Sequence, residues 1–343
     1  MKGMKRLTAA ILCLVLLAAL SGCAQGQDKR IIRISNGQPM THPDNIALLA
    51  FKEYVEEKAG DRYEVQIFPN ELLGSTKNAL ELLQTGALEY VVGSTSNLET
   101  FDSIYQIFSL PYLFRSEEGF DAVMQDEEFT RSIYEATDES GFRVVAYYKA
   151  GVRNLYTTKP VYTPDDLAGM KIRVQASPTN VRMIELMGAA AVPMGYGEVY
   201  TAMQQGVITG AENSEMALTT MKHGEVAKYY TYNKHQMVPD MLIANLKFLE
   251  GLSEEDRAIF DEAARISTQV EIEAWDEQIE QVKAEARDKM GVQFIETDTE
   301  LFRAKVLPLH EEAIAGNPQL RPIYDEIQRI QDEALDQEGR SVQ

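Results

Sequence analysis

The chain has 343 residues, 45% of them hydrophobic and 25% charged, and its 53 acidic against 33 basic residues give a formal net charge of −20. This apolar fraction excludes a disordered protein, and the length favours two domains because single cores stop growing at roughly 250–300 residues. An acidic chain without a basic cluster is a poor nucleic-acid binder, since phosphate contacts need clustered Lys and Arg. Two cysteines exclude a disulfide-rich scaffold.

The N-terminus has the pattern of an export signal. Three basic residues precede an apolar run from Leu7 to Leu20, which is shorter than the roughly 20 residues of a membrane-spanning helix. The run ends in Leu-Ser-Gly-Cys at Cys23, which is similar to a lipobox, where the cysteine is acylated and becomes the new N-terminus. An ordinary signal peptide with an incidental cysteine is the alternative. We predict a lipoprotein signal peptide over 1–22, lipidation of Cys23, a tether over 23–29, and an exported protein anchored at the outer face of the cytoplasmic membrane.

The next part of the chain alternates short strands with helices. Strand patterns cover residues 31–35, 63–68 and 88–92. Helical apolar spacing covers the segment from Asp44, a predicted N-cap, to Gly60, and again residues 77–84. This β-α-β-α-β order predicts a parallel sheet covered by helices, in which ligands bind at the carboxyl ends of the strands.

The same order returns after Gly141, so we predict two similar α/β lobes. The last third of the chain differs, because Ser253 and the acids after it form a helix-start pattern and no proline or glycine follows until Gly291. One helix of about 35 residues is therefore expected, and its length means that it lies along more than one domain. The repeated unit has strand patterns at 142–148, 171–175 and 207–213 and helical patterns at 180–187 and 198–205.

Enzyme signatures are absent from the sequence. There is no nucleophile elbow, phosphate-binding loop, dinucleotide fingerprint or zinc-protease motif. The four histidines lack metal-ligand spacing, and His310, followed by two glutamates, is expected on an exposed helix face. Paired carboxylates are too abundant to indicate a glycosidase site, although such a pair stays open. We therefore predict no catalytic residues, no metal and no cofactor.

Arg173 lies in a strand pattern whose alternation puts it on one face with Lys171 and Gln175. Ser177-Pro178 then form a good N-cap and first helical position, so a helix should begin just beyond the strand. An arginine fork beside a helix N-terminus suits a carboxylate, because both supply hydrogen-bond donors and positive charge. An ordinary surface strand is the alternative for this segment, as a loop cation is for Arg153.

A series of short segments runs through almost the whole chain: Phe68–Gly74, Leu110–Tyr112, Asp166–Val174, Met187–Ala189, Pro193–Tyr200 and Gln205–Asn213. In order and spacing they resemble the DctP-type solute-binding receptors of TRAP (tripartite ATP-independent periplasmic) transporters. The resemblance implies an α/β fold of the periplasmic binding protein-like type II, with two α/β lobes, a hinge and a long spanning C-terminal helix. We expect one lobe at residues 30–150 plus 239–275, and the second lobe with the C-terminal helices at 151–238 plus 276–343.

The resemblance also implies the site residues. Arg173 stands where the family's arginine pairs with the ligand carboxylate, and Asn213 where an asparagine binds the same group. Arg153 matches a second ligand arginine, and Tyr196 an aromatic that lines the pocket. The other lobe's polar groups correspond to His42, Thr76, Ser94 and Asn97, for which turn and cap roles stay open, and further candidates are Gln175, Glu212 and His235.

The segments Tyr230–His235 and Val238–Asp240 look most like those of family members that take hexuronates or related sugar acids. This implies a receptor that captures a small organic acid by arginine–carboxylate pairing, closes near Ala150 and Pro239, and delivers the acid to a TRAP membrane permease. A receptor for C4-dicarboxylates or other carboxylates is the alternative within the system. Outside it, the alternatives are an exported, lipid-anchored carbohydrate-active enzyme and a sensory input lobe.

Overall fold

Two β-sheets organise residues 29–341, the part of the chain that the computed structural model describes. The predicted signal peptide (1–22), Cys23 and the tether up to residue 28 lie outside the described residues. The strands are β1 (Arg30–Ser35), β2 (Tyr63–Phe68), β3 (Tyr90–Ser94), β4 (Phe142–Tyr148), β5 (Val152–Thr157), β6 (Lys171–Val174), β7 (Ala190–Pro193), β8 (Gly210–Asn213), β9 (Tyr229–Met237), β10 (Asp240–Asn245) and β11 (Gln293–Glu296).

Helices pack against both sheets. They are α1 (Pro43–Ala59), α2 (Thr76–Thr85), α3 (Thr95–Leu98), α4 (Glu117–Gln125), α5 (Glu127–Tyr134), α6 (Pro178–Met187), α7 (Val199–Gln204), α8 (Met216–Thr220), α9 (Leu246–Glu250), α10 (Glu254–Asp288), α11 (Thr299–Val306), α12 (Pro308–Gly316) and α13 (Leu320–Ser341). Short 3₁₀ turns occur at Ser103–Ser109, Glu135–Ser140, Pro164–Leu167, Tyr196–Glu198 and His223–Glu225. Between residues 29 and 341, no helix is long and apolar enough to cross a bilayer.

The two sheets confirm the predicted α/β class, and each contains a strand that breaks the parallel order. In the first sheet, ordered β2-β1-β3-β10-β4, strand β1 pairs in parallel with β2 and β3, whereas β10 is antiparallel to β3 and β4. In the second, ordered β11-β9-β5-β8-β6-β7, strand β5 is antiparallel to β8 and β9. Each sheet therefore accepts strands from distant parts of the chain, which local alternation does not predict.

Two short connections carry the chain between the sheets, from β4 to β5 and from β9 to β10, and a third passage runs from β10 through α10 to β11. Gly151 lies in the first passage with a φ of +67°, and a Cβ there would come within 2.6 Å of the Trp275 ring, so both the backbone conformation and the space require glycine. Helix α10 carries Trp275 and packs against α1 and β4 and also against α8. It therefore spans the two sheets, as its predicted length of about 35 residues requires.

Helix ends mostly follow the capping residues of the sequence. Ser177 Oγ accepts the backbone N–H of Asn180 (3.0 Å), and Ser253 Oγ accepts that of Asp256 (3.1 Å), so α6 and α10 begin as expected. At α1, however, His42 is the N-cap and its Nδ1 accepts the Asp44 N–H (3.3 Å), so the prediction that Asp44 caps this helix was wrong.

His310 was also placed wrongly by its local sequence, because it is buried and not on an exposed helix face. Its Nε2 lies 2.6 Å from the carbonyl oxygen of Pro111, and its Nδ1 lies 3.2 Å from the Tyr324 hydroxyl. Tyr324 belongs to α13, which packs against α4. The C-terminal helix packs onto an early part of the chain and thereby buries His310, although the two glutamates after it predicted an exposed position.

Candidate functional site

A cavity of about 180 Å³ lies between the two sheets, and residues from both sheets line it. Strands β3 and β10 contribute to one side, and β6 and β8 to the other. Among the sequence-predicted site residues, those that line the cavity are Arg173, Asn213, Arg153, Tyr196, His42, Thr76, Ser94, Asn97 and Gln175. Glu212 and His235 lie behind this surface, next to Arg153.

Arg173 is buried in the cavity wall, with 3% of its surface exposed. Its Nε and Nη2 both donate to the carbonyl oxygen of Met194 (3.1 and 2.9 Å), and its guanidinium carbon lies 5.4 Å from the centre of the Tyr196 ring. No carboxylate pairs with it among the side chains that the structure describes. Burial lowers the pKa of Arg173, and the like charge of Arg153 adds to that shift. The cavity therefore presents a buried cation that lacks a counter-ion.

Arg153 is equally buried, but its charge is matched by Glu212. Arg153 Nε donates to Glu212 Oε2 (2.6 Å) and Nη2 donates to Oε1 (3.0 Å), in a two-point pair. Burial acts to raise the pKa of Glu212, but the charge of Arg153 and the neighbouring His235 outweigh it and hold this pKa at about 2. The pair is therefore charged at neutral pH, and Arg153 Nη1 remains to hold Asn213 Oδ1 (3.1 Å).

Asn213 and Tyr196 are fixed by contacts within the second sheet. The Asn213 amide nitrogen donates to the Tyr196 hydroxyl (3.2 Å), and its oxygen accepts from Arg153 and from the Ser214 N–H (2.8 Å). Burial raises the pKa of Tyr196 above its usual value, so the hydroxyl stays neutral. These contacts hold the side chains in one geometry, which is what selective recognition of a small ligand needs.

Polar residues on the first-sheet side of the cavity lie at or near the starts of helices. His42 caps α1 and also lines the cavity, whereas Thr76 lines the cavity without capping α2, because the N-cap of that helix is Ser75. Ser94 Oγ accepts from Asn97 Nδ2 (3.3 Å) and from Gln175 Nε2 (2.8 Å). The second of these bonds crosses from one sheet to the other, so the two sides of the cavity are in contact.

The helix N-terminus beyond Arg173 is already filled by a carboxylate of the protein. Glu99, from the first sheet's side, accepts hydrogen bonds from Ser177 Oγ (2.8 Å), Thr179 Oγ1 (2.8 Å) and the Thr179 N–H (2.9 Å). The expectation that this helix end assists Arg173 in binding a ligand carboxylate is thus wrong. The positive end of α6 instead binds Glu99 and holds the two sides together.

Sequence analysis missed several residues that line the cavity, among them three acids and a tryptophan. Glu71 reaches across it, where its carboxylate accepts the N–H groups of Tyr196 (3.2 Å) and Gly197 (2.9 Å). Glu71 has a left-handed backbone (φ 53°), which no sequence pattern signalled. Trp275 could have been suspected as the single tryptophan of the chain. The other two acids are Asp44 and Asp240.

Comparison with known proteins agrees with this architecture. Residues 34–317 match the family of bacterial extracellular solute-binding proteins, family 7 (DctP). The crystal structure of a TRAP periplasmic solute-binding protein from Anaerococcus prevotii, with bound α/β-D-glucuronate, is 51% identical, with a TM-score of 0.87, and the match covers 89% of this chain and 99% of that one. A Sulfitobacter TRAP solute-binding protein with bound β-D-galacturonate is 32% identical, with a TM-score of 0.83 and coverage of 86% and 98%.

A relative known from its sequence also matches this chain over most of its length. An uncharacterised protein of Salmonella typhimurium is 38% identical over 317 residues, covering 92% of this chain and 95% of its own. The match to the family spans both sheets and the long helix, so it concerns the whole architecture and not a single motif. The chain belongs to family 7 of the bacterial extracellular solute-binding proteins, the DctP-type receptors of TRAP transporters.

Proposed function

We propose that this receptor captures a hexuronate, such as glucuronate or galacturonate, through its carboxylate. The observation that carries the proposal is Arg173, a guanidinium that is buried in the cavity wall and has no counter-ion among the described residues. Burying a charge is costly unless it is paired, so a ligand carboxylate that pairs with Arg173 removes a cost that the ligand-free protein bears. The uronates bound by the Anaerococcus and Sulfitobacter proteins support this class of ligand.

The proposed site has one main anion contact and several supporting ones. Arg173 supplies two parallel donors to the carboxylate, and Arg153 and Asn213, already fixed to each other, add donors beside it. Tyr196 provides an aromatic face for the sugar ring. The remaining candidate contacts are the cavity-lining side chains of His42, Thr76, Ser94, Asn97 and Gln175, whereas Glu212 and His235 act through Arg153.

Capture requires that the two sides of the cavity separate and close. We place the lobes at residues 30–150 plus 239–275 and at 151–238 plus 276–343, with bending near Ala150 and Pro239. The two short passages between the sheets support this division, and the contact of α13 with α4 links the last helix to the first lobe. The closed, loaded form is the one that we propose docks to the TRAP permease.

Isothermal titration calorimetry tests the assignment. We expect D-glucuronate or D-galacturonate to bind at least about 100-fold more tightly than malate or succinate, because the short dicarboxylates leave the polar groups of the cavity unpaired. The four ligands should be compared in one buffer, with the ligand-free protein checked for folding by thermal melting. Tight binding of malate or succinate without binding of either uronate contradicts the proposal.

We further propose that Cys23 is acylated and anchors the receptor outside the cytoplasmic membrane. The support is the apolar run that ends in Leu-Ser-Gly-Cys and the extracytoplasmic place of the family. In cells, Cys23→Ala is expected to move the protein from the membrane fraction to the soluble extracytoplasmic fraction, as followed by immunoblotting of the fractions. A Cys13→Ala variant serves as the matched control, and an unchanged distribution of Cys23→Ala argues against lipidation.

A further inference from the structure

Two carboxylates on the first-sheet side of the cavity are not explained by binding of an anion. Asp44, near the start of α1, and Asp240, the first residue of β10, both line the cavity. We call this pair the acidic wall. A carboxylate accepts hydrogen bonds and repels other anions, so the acidic wall has chemistry opposite to that of Arg173.

Asp44 is fully buried, and neither of its carboxylate oxygens has a hydrogen-bond partner among the described residues. His42 Nδ1 lies 3.2 Å from Oδ1, but this nitrogen already accepts the Asp44 backbone N–H and in that role is not a donor to the carboxylate. A buried carboxylate without donors is rare and costly. Its position in the cavity wall means that a bound ligand is what can supply the missing donors.

Unpartnered polar atoms also occur beside the acidic wall. Within residues 29–341, the amide nitrogen of Asn36, a residue 2% exposed, has no acceptor, and the amide oxygen of Gln38 has no donor. Both residues line the same cavity. A ligand that offers both donors and acceptors satisfies this set, which describes the hydroxyl groups of a sugar and not a second carboxylate.

Asp240 adds a second acid close to the first. It pairs with Ser94 of β3 and with Tyr148 of β4 in the first sheet, which places it beside a cavity-lining serine. Burial and then the charge of Asp44 raise the pKa of Asp240 to about 7, whereas Arg153 and His42 act in the opposite direction. The like charges are thus close enough to oppose each other's ionisation.

A third acid stands behind this pair. Glu271 of α10 is buried, and its Oε2 accepts the backbone N–H of Lys149 (2.7 Å) while Oε1 has no partner among the described residues. Burial and the charge of Asp44 hold the pKa of Glu271 well above its usual range. Three carboxyl groups thus lie close together on this side of the cavity, and Asp44 and Asp240 are the two that line it.

Arg173 stands apart from these acids. It belongs to β6 of the second sheet, whereas Asp240 belongs to β10 of the first sheet and Asp44 to α1, which packs against the first sheet. The buried cation and the acidic acceptors therefore lie on opposite sides of the cavity, and the further cation in the lining, Lys77, is exposed. A matching ligand carries an anion at one end and hydroxyl groups at the other.

We propose that Asp44 and Asp240 accept hydrogen bonds from ligand hydroxyl groups and exclude a second carboxylate, so that the receptor distinguishes a uronate from the aldarate of the same carbon skeleton. In an aldarate both terminal carbons are carboxylates, and the second one would meet the acidic wall. The inference rests on the proposed uronate function and names the residues that set its selectivity. It also gives a second reason to expect that short dicarboxylates bind weakly in this cavity.

The test compares matched ligand pairs by calorimetry at one pH well above 7, where Asp240 is ionised; the pairs are D-glucuronate with D-glucarate and D-galacturonate with D-galactarate. The unaltered protein should bind each aldarate at least about 100-fold more weakly than its uronate, because juxtaposed like charges oppose binding. Asp240→Asn should weaken uronate binding about tenfold, because it replaces a charged acceptor, and it should tighten aldarate binding. The ratio of uronate affinity to aldarate affinity should therefore become smaller. Asp44→Asn should change the ratio in the same direction.

Asp165→Asn is the matched control, because Asp165 is exposed and does not line the cavity, and it should keep both affinities. Thermal melting of each ligand-free variant shows that it is folded. The inference is overturned if the unaltered protein binds a uronate and its aldarate within about threefold of each other, or if both wall variants leave the ratio unchanged. Absence of uronate binding by the unaltered protein instead overturns the proposed function.

Discussion

Arg173→Lys is expected to bind a hexuronate about 100-fold more weakly than the unaltered protein, a loss of about 3 kcal/mol, while it folds normally. Lysine keeps the positive charge but lacks the planar guanidinium that donates two parallel hydrogen bonds. One oxygen of the ligand carboxylate therefore loses its donor. Calorimetry with glucuronate or galacturonate measures the loss. Retention of the unaltered affinity would contradict the assignment of Arg173 to the ligand carboxylate.

A second variant separates binding from stability at the same position. Arg173 has no carboxylate partner among the described side chains. Arg173→Met therefore removes a buried charge and leaves no other buried charge without its counter-ion. We expect Arg173→Met to abolish measurable binding and to melt no lower than the unaltered protein without ligand. Arg182→Lys is the control, since Arg182 is half-exposed and pairs with Glu312 (3.3 Å) away from the cavity.

Glu212→Gln is expected to destabilise the protein by about 3–5 kcal/mol, because it leaves Arg153 buried without its counter-ion. The effect depends on pH with a definite sign. The pKa of Glu212 is lowered to about 2 in the folded state, so its contribution is fully present above the unfolded value near 4.5 and is lost as the pH falls from there towards 2. The variant should therefore differ most from the unaltered protein at neutral pH.

Urea unfolding at neutral pH, repeated at stepwise lower pH, measures this difference. Glu262→Gln is a suitable control, because Glu262 forms an exposed pair with Arg265 (2.6 Å), and water and salt screen such pairs so that they contribute little to stability. If Glu212→Gln lost no more stability at neutral pH than this control, the Arg153–Glu212 pair would not be the buried ion pair described here.

The local elements of this fold were largely predictable because their signals lie within a few residues. Ser177-Pro178 and Ser253 mark helix starts that the structure confirms, and a stretch free of proline and glycine gave a helix of the expected 35 residues. It ends at Asp288, slightly before the predicted Gly291. The family resemblance, carried by segments spread over the chain, gave the α/β class and the receptor function that the comparisons confirm.

What sequence analysis missed depends on contacts between distant residues. Strand β10 inserts between β3 and β4, although it follows β4 by some ninety residues in the sequence, and no periodicity reveals such an insertion. Glu99 occupies the helix end that had been assigned to the ligand, across 78 residues of chain. The acidic wall was missed because Asp44 was taken as a cap and Asp240 only as part of a similar segment.

The carboxylates of Glu71 and Glu99 accept hydrogen bonds from donors on the opposite side of the cavity. In the closure that we propose, these bonds between protein groups contribute to the free energy of closing, so they help to set the population of the closed state. The apparent affinity for a ligand scales with the population of the closed state. Residues that do not contact the ligand therefore help to set the ligand concentration at which uptake begins. Sensitivity and selectivity can thus change independently in this scaffold.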